Sequence, residues 1–592
     1  MALGSVEESL MSSTFCIYPF ISLNITPGGS VKPCCAFMKE ISVDDKPMSV
    51  YEHSLPEIWN SDFMREIRRE MIAGERVAGC DYCYQQERSG VRSMRVVTNE
   101  IWIQEFAEPQ EAIKQLFADV EANGYRVPNR CSGLELDVGN LCNLKCRMCN
   151  SQSSSGISSD PVHSRWAYSG LIAARWRGNG MIIAPERALG VASEGIAWPV
   201  VEGGVKVGWT DGNAGLRFSI SDIDLAGLEI ELSDDRPENH PLAVLANGQS
   251  IFEGNLPSGR WVGKFDLEQF GNAAELDIRL NSPLFRNDRL GRRVGVGIER
   301  IELFRKERGR NEVNASRLPG RGLWFQEMDF LINEILAEPE KISRLRFIGG
   351  EPLLIKEVET MMRHLVETGA AGKIELWTVT NCAVRNEAYF ELAQHFRSHG
   401  LMMSLDGVGK INEYIRFPSS WDVVNQNIEM FLKQKNTTLW ANMTIQPYNL
   451  LHISDLIEYC LAKGIAFKHH LLQYPQYLSV AVLPQDIRDL AADRVLEYIN
   501  SKDTLPAPLR AGVQELRDSV VEVAEAIRTA KIDDREKFLQ EFIVFTNDLD
   551  MSRGQSFAQS LPELYHLLRD AGVQWPQTLR FARPKPQPVA AL

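Results

Sequence analysis

The sequence predicts an α/β protein: a partial (β/α)6 TIM barrel, with an N-terminal cysteine-rich domain and an inserted all-β sandwich. Three observations carry this prediction. Six apolar strand-like segments from Gly133 onward are separated by helical stretches, the helical period is lost between about Met181 and Arg305, and most cysteines fall into two sets. Parallel α/β sheets gather functional residues at the carboxyl ends of their strands, so we expect a site there.

The N-terminal segment holds the first cysteine set. Gly28 and Gly29 predict a tight turn between two short strands, and a helical stretch with apolar residues from Ile58 to Met71 precedes a Cys-x-x-Cys pair. Such a module is typical of a metal site, and zinc and an iron-sulfur cluster are equally open on spacing alone. Cys35 is surplus to four ligands and is expected to be a small buried side chain. The four expected ligands are Cys16, Cys34, Cys80 and Cys83.

The second cysteine set follows the first strand of the predicted barrel. The alternating segment GLELDV leads into the loop GNLCNLKCRMCN, which contains Cys142, Cys146 and Cys149. A structural zinc site is closed by four ligands, and an iron-sulfur cube also normally takes four thiolates. Three protein thiolates would leave one iron with an open position at which a small molecule can bind.

The remaining strands of the predicted barrel also end in motifs. The segments RLRFIGGEPLL, KIELWTVTNC and GLMMSLDG each place polar residues or glycines at a strand end, and LWANMTIQ and AFKHHLLQ complete six strands. The order CxxxCxxC, GGEP and SLDG resembles that of the radical S-adenosylmethionine (radical SAM) enzymes. This resemblance covers Gly133 to about Gln473, apart from the insertion.

The resemblance implies roles for the motif residues. The cysteines of the loop would hold a catalytic [4Fe-4S] cluster whose open iron binds SAM, and reductive cleavage of SAM would give a 5'-deoxyadenosyl radical that takes a hydrogen atom from the substrate. Glycines allow close backbone approach and a carboxylate suits the SAM ammonium, whereas Arg416 could instead form a surface ion pair. The residues expected near SAM are Met148, Gly349, Gly350, Glu351, Pro352, Asn381, Ser404, Asp406 and Arg416.

The N-terminal cysteine set resembles a twitch domain, the short relative of the SPASM domain, which binds one auxiliary [4Fe-4S] cluster. Here the domain precedes the barrel instead of following it, and FTNDLDMSRGQSFAQSLPELYHLL resembles the carboxyl-terminal segment of radical SAM proteins with that order. A cluster ligated wholly by cysteine has no open iron, so electron transfer is its expected role. This favours substrate oxidation and leaves a redox-neutral reaction open.

The insertion separates the cysteine loop from the GGEP motif by about 200 residues. Short alternating segments divided by Gly, Asn, Asp and Pro predict antiparallel strands in a sandwich, similar to modules that accompany surface-polysaccharide enzymes. A carbohydrate-binding role and a purely structural role are equally open. Trp209 and Trp261 would suit stacking on a sugar or packing in the core.

Three further residues are candidates for chemistry. Cys382 ends the third strand and could donate a hydrogen atom to a substrate radical, although a buried structural role fits a cysteine better. His469 and His470 end the sixth strand as candidate acid or base groups, and only one of them should face the pocket because strand side chains alternate.

We therefore expect a radical SAM dehydrogenase or epimerase acting on a sugar, aminocyclitol or glycan-linked substrate, with flavodoxin or ferredoxin as the reducing partner. The alternatives are a maturase of a ribosomally synthesised peptide and a non-catalytic iron-sulfur binding protein. A net charge of −14 disfavours nucleic-acid binding. The absence of a targeting segment or a long apolar run predicts a cytoplasmic protein without membrane contact.

The expected domain limits follow from these patterns. The twitch-like domain and its linker helix occupy residues 1–125, the barrel with the carboxyl-terminal segment occupies 126–177 and 309–592, and the sandwich occupies 178–308.

Overall fold

The structure is a computed structural model, and it describes residues 14–43, 46–88, 92–104, 106–127, 131–151, 153–160, 162–166, 172–173, 180–183, 194–197, 207–220, 225–234, 236, 238–271, 273, 275–287, 292–306, 323–501 and 507–575. The expected domain limits at 177–178 and 308–309 lie outside these ranges. No helix within them is long and apolar enough to cross a membrane.

The N-terminal domain is helical around a small hairpin. The predicted hairpin is present as β1 (Ser22–Ile25) and β2 (Val31–Lys32), with a second short pair, β3 (Ser42–Val43) and β4 (Lys46–Pro47). The predicted helix from Ile58 to Met71 is two helices, because Ser61 caps the second by accepting a hydrogen bond from Met64 N at 3.4 Å. The helices are α1 (Tyr18–Ile21), α2 (Leu55–Trp59), α3 (Asp62–Ile72), α4 (Asp81–Arg88), α5 (Met94–Ile103) and α6 (Pro109–Ala122).

The first strand of the main sheet, β5 (Gly133–Asp137), is followed by α7 (Ser155–Ser158), α8 (His163–Trp166) and then the all-β insertion. In its described residues, the insertion has a ten-stranded sheet with the path β12-β11-β14-β9-β17-β10-β13, to which β6, β7 and β8 are added, and a separate pair of β15 and β16. Every pairing along the path is antiparallel. Its strands are β6 (Ile172–Ala173), β7 (Gly180–Ile183), β8 (Glu194–Ala197), β9 (Gly208–Ser219), β10 (Leu225–Asp234), β11 (His240–Ala246), β12 (Gln249–Leu256), β13 (Gly259–Asp266), β14 (Glu275–Asn281), β15 (Phe285–Asn287), β16 (Arg292–Val294) and β17 (Gly297–Arg305).

The insertion has one long strand, paired ends and a hydrophobic cluster of its own. The predicted strands GVKVGWT and LRFSIS meet in the single strand β9, because Gly212 (φ +88°) lets the chain continue where a turn was expected. The first and last parts of the insertion are hydrogen-bonded neighbours, since β7 pairs with β17 at Gly180 and Phe304. The alternating buried residues of the strands pack into one hydrophobic cluster separate from that of the main sheet.

The main sheet has eight strands in the order β2-β1-β5-β18-β19-β20-β21-β22, and all neighbours from β1 to β22 are parallel. The new strands are β18 (Arg344–Ile348), β19 (Glu375–Thr380), β20 (Ser398–Ser404), β21 (Thr437–Ile445) and β22 (Ala466–Leu471). Between them lie α9 (Met328–Phe330), α10 (Lys356–Glu367), α11 (Glu387–Ala393), α12 (Lys410–Ile415), α13 (Trp421–Phe431) and α14 (Ile453–Lys463). The α/β class is confirmed, and closure towards a barrel stays a prediction.

The N-terminal domain is part of the main sheet. Strand β1 runs parallel to β5 with Ser22 opposite Gly133 and Ile25 opposite Leu136. Sequence analysis placed this hairpin in a separate module and did not predict the pairing. The cysteine-rich domain is therefore fixed to the first edge of the parallel strands by backbone hydrogen bonds.

The two faces of the main sheet differ in burial. Residues such as Phe347, Leu376 and Met403 point into the main core and are fully buried. The residues between them in the strands alternate to the other side and are half-buried. We call this side the open face; it carries Arg346, Trp377, Met402, Ser404, Trp440, Asn442 and Lys468.

The carboxyl-terminal segment is helical. It comprises α15 (Gln485–Asn500), α16 (Ala507–Thr529), α17 (Arg535–Arg553), α18 (Phe557–Ser560) and α19 (Pro562–Asp570). Aromatic residues of α17, including Phe542 and Phe545, are buried in the main core.

Candidate iron-sulfur and cofactor site

The loop with Cys142, Cys146 and Cys149 is held on one side by the GGEP segment. Gly350 N donates to Gly139 O at 2.7 Å, and Glu351 N donates to Leu141 O at 2.8 Å. These bonds continue the pairing of β5 and β18 beyond the ends of the two strands.

The two glycines of this segment are required by that close approach. Gly349 has a φ of +135°, and a Cβ there would lie 2.5 Å from Gly139 O. A Cβ on Gly350 would lie 2.4 Å from Leu141 O. The glycines thus position the cysteine loop, which is a role the sequence did not indicate; their predicted contact with SAM is untested.

The other side of the cysteine loop is held by the segment after α12. Lys145 N donates to Phe417 O at 2.6 Å, and Arg147 N donates to Ile415 O at 2.9 Å. Backbone hydrogen bonds therefore hold the loop on both sides.

A buried ion pair ties the same loop to the carboxyl-terminal segment. The Arg147 side chain is fully buried, and its Nη2 lies 2.5 Å from Asp550 Oδ1 on α17. The Tyr414 hydroxyl also donates to Asp550, at 2.9 Å, and the guanidinium lies 3.7 Å from the Tyr414 ring centroid. Asp550 belongs to the carboxyl-terminal motif singled out in the sequence, so that motif closes over the cysteine loop.

The thiols of the loop interact electrostatically. Burial, and next the Cys146 thiol, raise the pKa of Cys142 to about 12. The pKa of Cys149 is also raised, by burial and by Cys146 and Cys142. Thiolates at this site thus need a cationic partner, as iron would provide.

Arg416 and Asp406 form a buried pair beside this loop. Arg416 Nε lies 2.8 Å from Asp406 Oδ2, and its Nη1 lies 3.9 Å from Cys146 Sγ. Asp406 Oδ1 accepts a hydrogen bond from Thr444 N at 2.9 Å. The pair is buried, which is incompatible with the surface ion pair considered for Arg416, and contact with SAM stays a prediction for both residues.

Glu351 joins the GGEP segment to the end of β19. Its carboxylate accepts hydrogen bonds from Thr380 Oγ1 at 2.9 Å, Asn381 N at 2.7 Å and Leu353 N at 3.2 Å. Burial raises the pKa of Glu351 to about 7, although these donors lower it. The carboxylate is therefore largely engaged with the protein, and Pro352 beside it is buried.

Asn381 and Cys382 follow β19 but differ in their surroundings. Asn381 Nδ2 donates to Asn143 Oδ1 at 2.8 Å and lies 3.8 Å from Cys142 Sγ. Cys382 is fully buried with φ +62°, and Asn427 donates to its carbonyl at 2.8 Å. The structure thus supports the structural alternative for Cys382.

The remaining predicted residues near SAM are half-buried. Met148 packs against the main core, and Ser404 lies on the open face at the end of β20. Their predicted contacts with SAM are untested.

His469 and His470 point in opposite directions, as their place on a strand predicts. His470 Nε2 lies 3.1 Å from Thr444 Oγ1, on the side of the open face, and interacts with Arg416. His469 Nε2 lies 2.7 Å from Ser519 Oγ on α16. Burial lowers the pKa of each imidazole to about 4, so both are neutral bases at neutral pH.

The N-terminal cysteines come together around Cys34. Burial raises the pKa of Cys34 far above its usual range, and the neighbouring thiols raise it further. Those neighbours are Cys35, Cys16, Cys80 and Cys83. The Cys34 thiol thus interacts electrostatically with the three other expected ligands and with Cys35.

Cys35 is not the small buried side chain that the sequence predicted. It is exposed, and its Sγ lies 3.9 Å from Met94 Sδ. Its strongest electrostatic partners are Glu135 and Arg346 of the main sheet. Cys35 thus interacts with the main sheet as well as with the N-terminal thiols Cys34 and Cys83.

A polar ladder on the main sheet was missed by sequence analysis. Glu135 Oε2 accepts a hydrogen bond from Arg346 Nη1 at 2.9 Å, and its Oε1 accepts one from Asn24 Nδ2 at 3.0 Å. Arg346 interacts electrostatically with Cys35 and Tyr18 of the N-terminal domain. The sequence does contain a signal for this ladder, because Glu135 and Arg346 are charged residues inside the apolar strands β5 and β18.

Iron-sulfur clusters fit these donor sets. In the described part of the chain, no three His, Cys, Asp or Glu side chains are close enough to hold a single metal ion. The ligands of one zinc ion must all lie about 2.3 Å from it, whereas the thiolates of a cube bind separate irons. Both donor sets consist of thiols, which are the ligands that iron-sulfur clusters take.

The aromatic residues considered for sugar stacking in the insertion are half-buried. Trp261 packs against Phe252 with ring centroids 5.1 Å apart, and Trp209 packs against Phe285 at 6.1 Å. These ring contacts fit a role of both tryptophans in packing within the insertion at least as well as a role in sugar binding.

Comparison with solved structures gives low similarity. A family 35 carbohydrate-binding module from Clostridium thermocellum is 11% identical, covers 21% of this chain and 97% of its own, and has a TM-score of 0.16. Streptococcus suis SuiB bound to the precursor peptide SuiA is 16% identical over 34% of this chain and 46% of its own, with a TM-score of 0.25. SuiB bound to S-adenosylmethionine is also 16% identical, over 32% of this chain and 44% of its own, with a TM-score of 0.24. The chain thus spans less than half of the length of these SuiB chains.

Comparison with protein families gives a specific result for the N-terminal domain. Residues 16–84 match the SPASM family, described as an iron-sulfur cluster-binding domain. A search of curated proteins gave no match. The family match begins at Cys16, ends just after Cys83 and includes Cys34 and Cys80. The N-terminal part of this protein is therefore an iron-sulfur cluster-binding domain similar to SPASM domains.

Proposed function

We propose that this chain is a radical SAM enzyme whose substrate binds at the open face. A SAM-binding [4Fe-4S] cluster would be held by Cys142, Cys146 and Cys149, and an auxiliary [4Fe-4S] cluster by the N-terminal cysteines. The observation that carries the proposal is that both cysteine sets adjoin one sheet. The cysteine loop leaves the carboxyl end of β5, and β1 of the iron-sulfur domain is hydrogen-bonded along the same strand.

In this proposal the cofactors supply the radical chemistry, and the chain positions them. The cluster and SAM together supply the abstraction of a hydrogen atom from an unactivated carbon. The chain positions the cysteine loop between Gly350 and Ile415, covers it with α17 and places the Arg416 cation next to Cys146. These contacts keep water from the loop and orient its thiols.

The proposed reaction is oxidation or epimerisation of a sugar, aminocyclitol or glycan-linked substrate. An auxiliary cluster with four cysteine ligands supports oxidation, because it can accept the electron left on the substrate. Flavodoxin or ferredoxin would supply the electron that starts the cycle.

The proposal is tested on anaerobically reconstituted protein. The measurements are iron and sulfide content and the 5'-deoxyadenosine released from SAM under reduction, for the wild type and a Cys142, Cys146, Cys149 triple alanine variant. We expect about eight irons in the wild type and about four in the variant, with 5'-deoxyadenosine from the wild type alone. Two intact clusters without 5'-deoxyadenosine would instead indicate a non-catalytic iron-sulfur protein.

Maturation of a ribosomally made peptide is the second candidate. The SPASM match favours it, because many enzymes with such domains modify peptides. Deuterium transfer into 5'-deoxyadenosine distinguishes the two: deuterated sugars should label it under our proposal, and a deuterated precursor peptide should label it under the alternative.

A further inference from the structure

Two tryptophans lie side by side on the open face. Trp377 of β19 and Trp440 of β21 are half-buried, and their ring centroids are 5.9 Å apart at an interplanar angle of 53°. Strand β20 separates the two strands in the sheet, so the rings reach towards each other across it. Large aromatic rings on a partly open face are unusual where the opposite face already supplies the core.

Glycine in β20 makes this arrangement possible. Gly400 is aligned with Trp377, and a Cβ at Gly400 would lie 2.5 Å from the Trp377 ring. The ring therefore covers the backbone of β20 closely. Its indole N–H is satisfied within its own strand, since it donates to Glu375 Oε1 at 2.8 Å.

The indole N–H of Trp440, unlike that of Trp377, has no partner in the described part of the chain. This Nε1–H is buried. A buried donor without a partner destabilises the fold, so such a group is usually satisfied by a ligand or water. The N–H thus requires an oxygen beside the tryptophan pair.

Charged groups border the two rings. Lys468 Nζ lies 4.3 Å from the Trp440 ring centroid, and the ion-paired Glu135 and Arg346 lie on the strands before Trp377. The tryptophan pair thus has a cation on each side, Lys468 beside Trp440 and Arg346 in register with Trp377. Aromatic faces bordered by such groups match a ring with apolar C–H faces and equatorial hydroxyls.

We propose that Trp377 and Trp440 form a stacking site for a sugar ring of the substrate, with Trp440 Nε1–H donating to a ring hydroxyl or ether oxygen. This inference rests on the proposed function and adds the residues that select the substrate class. A peptide would stack an aromatic side chain on the same rings and offer a carbonyl oxygen to the Trp440 N–H, so a direct comparison of binding distinguishes the two classes.

The test is equilibrium dialysis of radiolabelled methyl α-D-glucopyranoside, methyl β-D-galactopyranoside and D-glucuronate against the reconstituted full chain. N-acetylphenylalanine amide is the peptide-like probe. We expect at least one sugar to bind more tightly than the amide, and its Kd to rise about tenfold or more in Trp377→Ala and Trp440→Ala. Trp421→Ala, on helix α13, is the matched control and should leave the Kd unchanged, whereas Trp261→Ala tests the insertion as an alternative sugar site.

A conservative variant separates stacking from hydrogen bonding. Trp440→Phe keeps a ring but removes the N–H, so we expect a Kd increase of about fivefold, smaller than for alanine. Iron content and circular dichroism equal to the wild type identify folded variants. If an alanine variant does not fold, the Trp440→Phe result decides.

Three outcomes would overturn the proposal: no sugar bound by the wild type, tighter binding of the aromatic amide, or a Kd that changes in Trp261→Ala and not in the Trp440 variants. Binding is measured without SAM or reductant. Absent sugar binding with normal 5'-deoxyadenosine release would reject the sugar site alone. Normal sugar binding without 5'-deoxyadenosine release would reject the radical SAM assignment alone.

Discussion

Single residues position the cysteine loop through backbone packing. The glycines of GGEP resemble a cofactor-binding motif, yet each one also lies where a Cβ would collide with a carbonyl of the cysteine loop. The sequence predicts contact with SAM for these glycines, and that role stays a prediction; the packing role was not indicated. The collision partners, Gly139 and Leu141, lie about 200 positions earlier in the chain, and no local pattern reveals such a contact.

Gly350→Ala should displace the cysteine loop. Its Cβ would come within 2.4 Å of Leu141 O, so the loop backbone must move and its thiols with it. We expect iron content to fall from about eight to about four and 5'-deoxyadenosine release to be lost. Gly372→Ala is the control, because nothing lies within 4 Å of a Cβ there. Full iron content in Gly350→Ala would contradict this role.

His399 makes stability depend on pH. It is 1% exposed, contacts Tyr389 OH and Thr437 Oγ1, and burial lowers its pKa to about 3. The unfolded imidazole titrates near 6.5, so the contribution of neutral His399 is complete above pH 6.5 and is lost as pH falls towards 3, by at most about 1.4 kcal/mol per pH unit.

His399→Gln should therefore reduce the difference between urea midpoints at pH 7 and pH 5. Tryptophan fluorescence reports the unfolding. Exposed His395→Gln is the control and should retain the wild-type difference. A His399→Gln variant with the same pH dependence as the wild type would reject this account.

At the scale of elements, local patterns predicted most of the parallel strands and helices. The strands were found because their apolar residues alternate with polar ones. Two elements were misread for physical reasons. A glycine with positive φ extended β9 through an expected turn, and the pairing of β1 with β5 joins residues 111 positions apart.

Helix α17 covers the cysteine loop through a buried ion pair. Asp550→Asn would leave the fully buried Arg147 guanidinium without a counter-charge, which costs about 3–5 kcal/mol. We expect faster hydrogen exchange in residues 535–575 and in the cysteine loop, and a lower thermal midpoint. Asp570→Asn, at an exposed helix end, should change neither. Unchanged exchange in Asp550→Asn would show that packing alone holds α17.

At the scale of the whole molecule, the insertion and the main sheet have separate hydrophobic clusters. Gly180 and Phe304 are paired, so their Cα atoms are about 4.5–5.5 Å apart and a short Gly-Ser linker can replace the segment between them. We expect the shortened chain to keep about eight irons and to release 5'-deoxyadenosine. Loss of either cluster would show that the insertion stabilises the main sheet.

The pairing of β7 with β17 also bears on how the chain folds during synthesis. Glu135 and Arg346 of neighbouring strands are 211 positions apart, a long loop to close. Because the insertion closes its own ends, folding it first shortens the effective loop to about 90 residues and lowers the closure cost by about 0.8 kcal/mol. The ribosome completes the insertion before β18 emerges, so the order of synthesis matches the order that loop entropy favours.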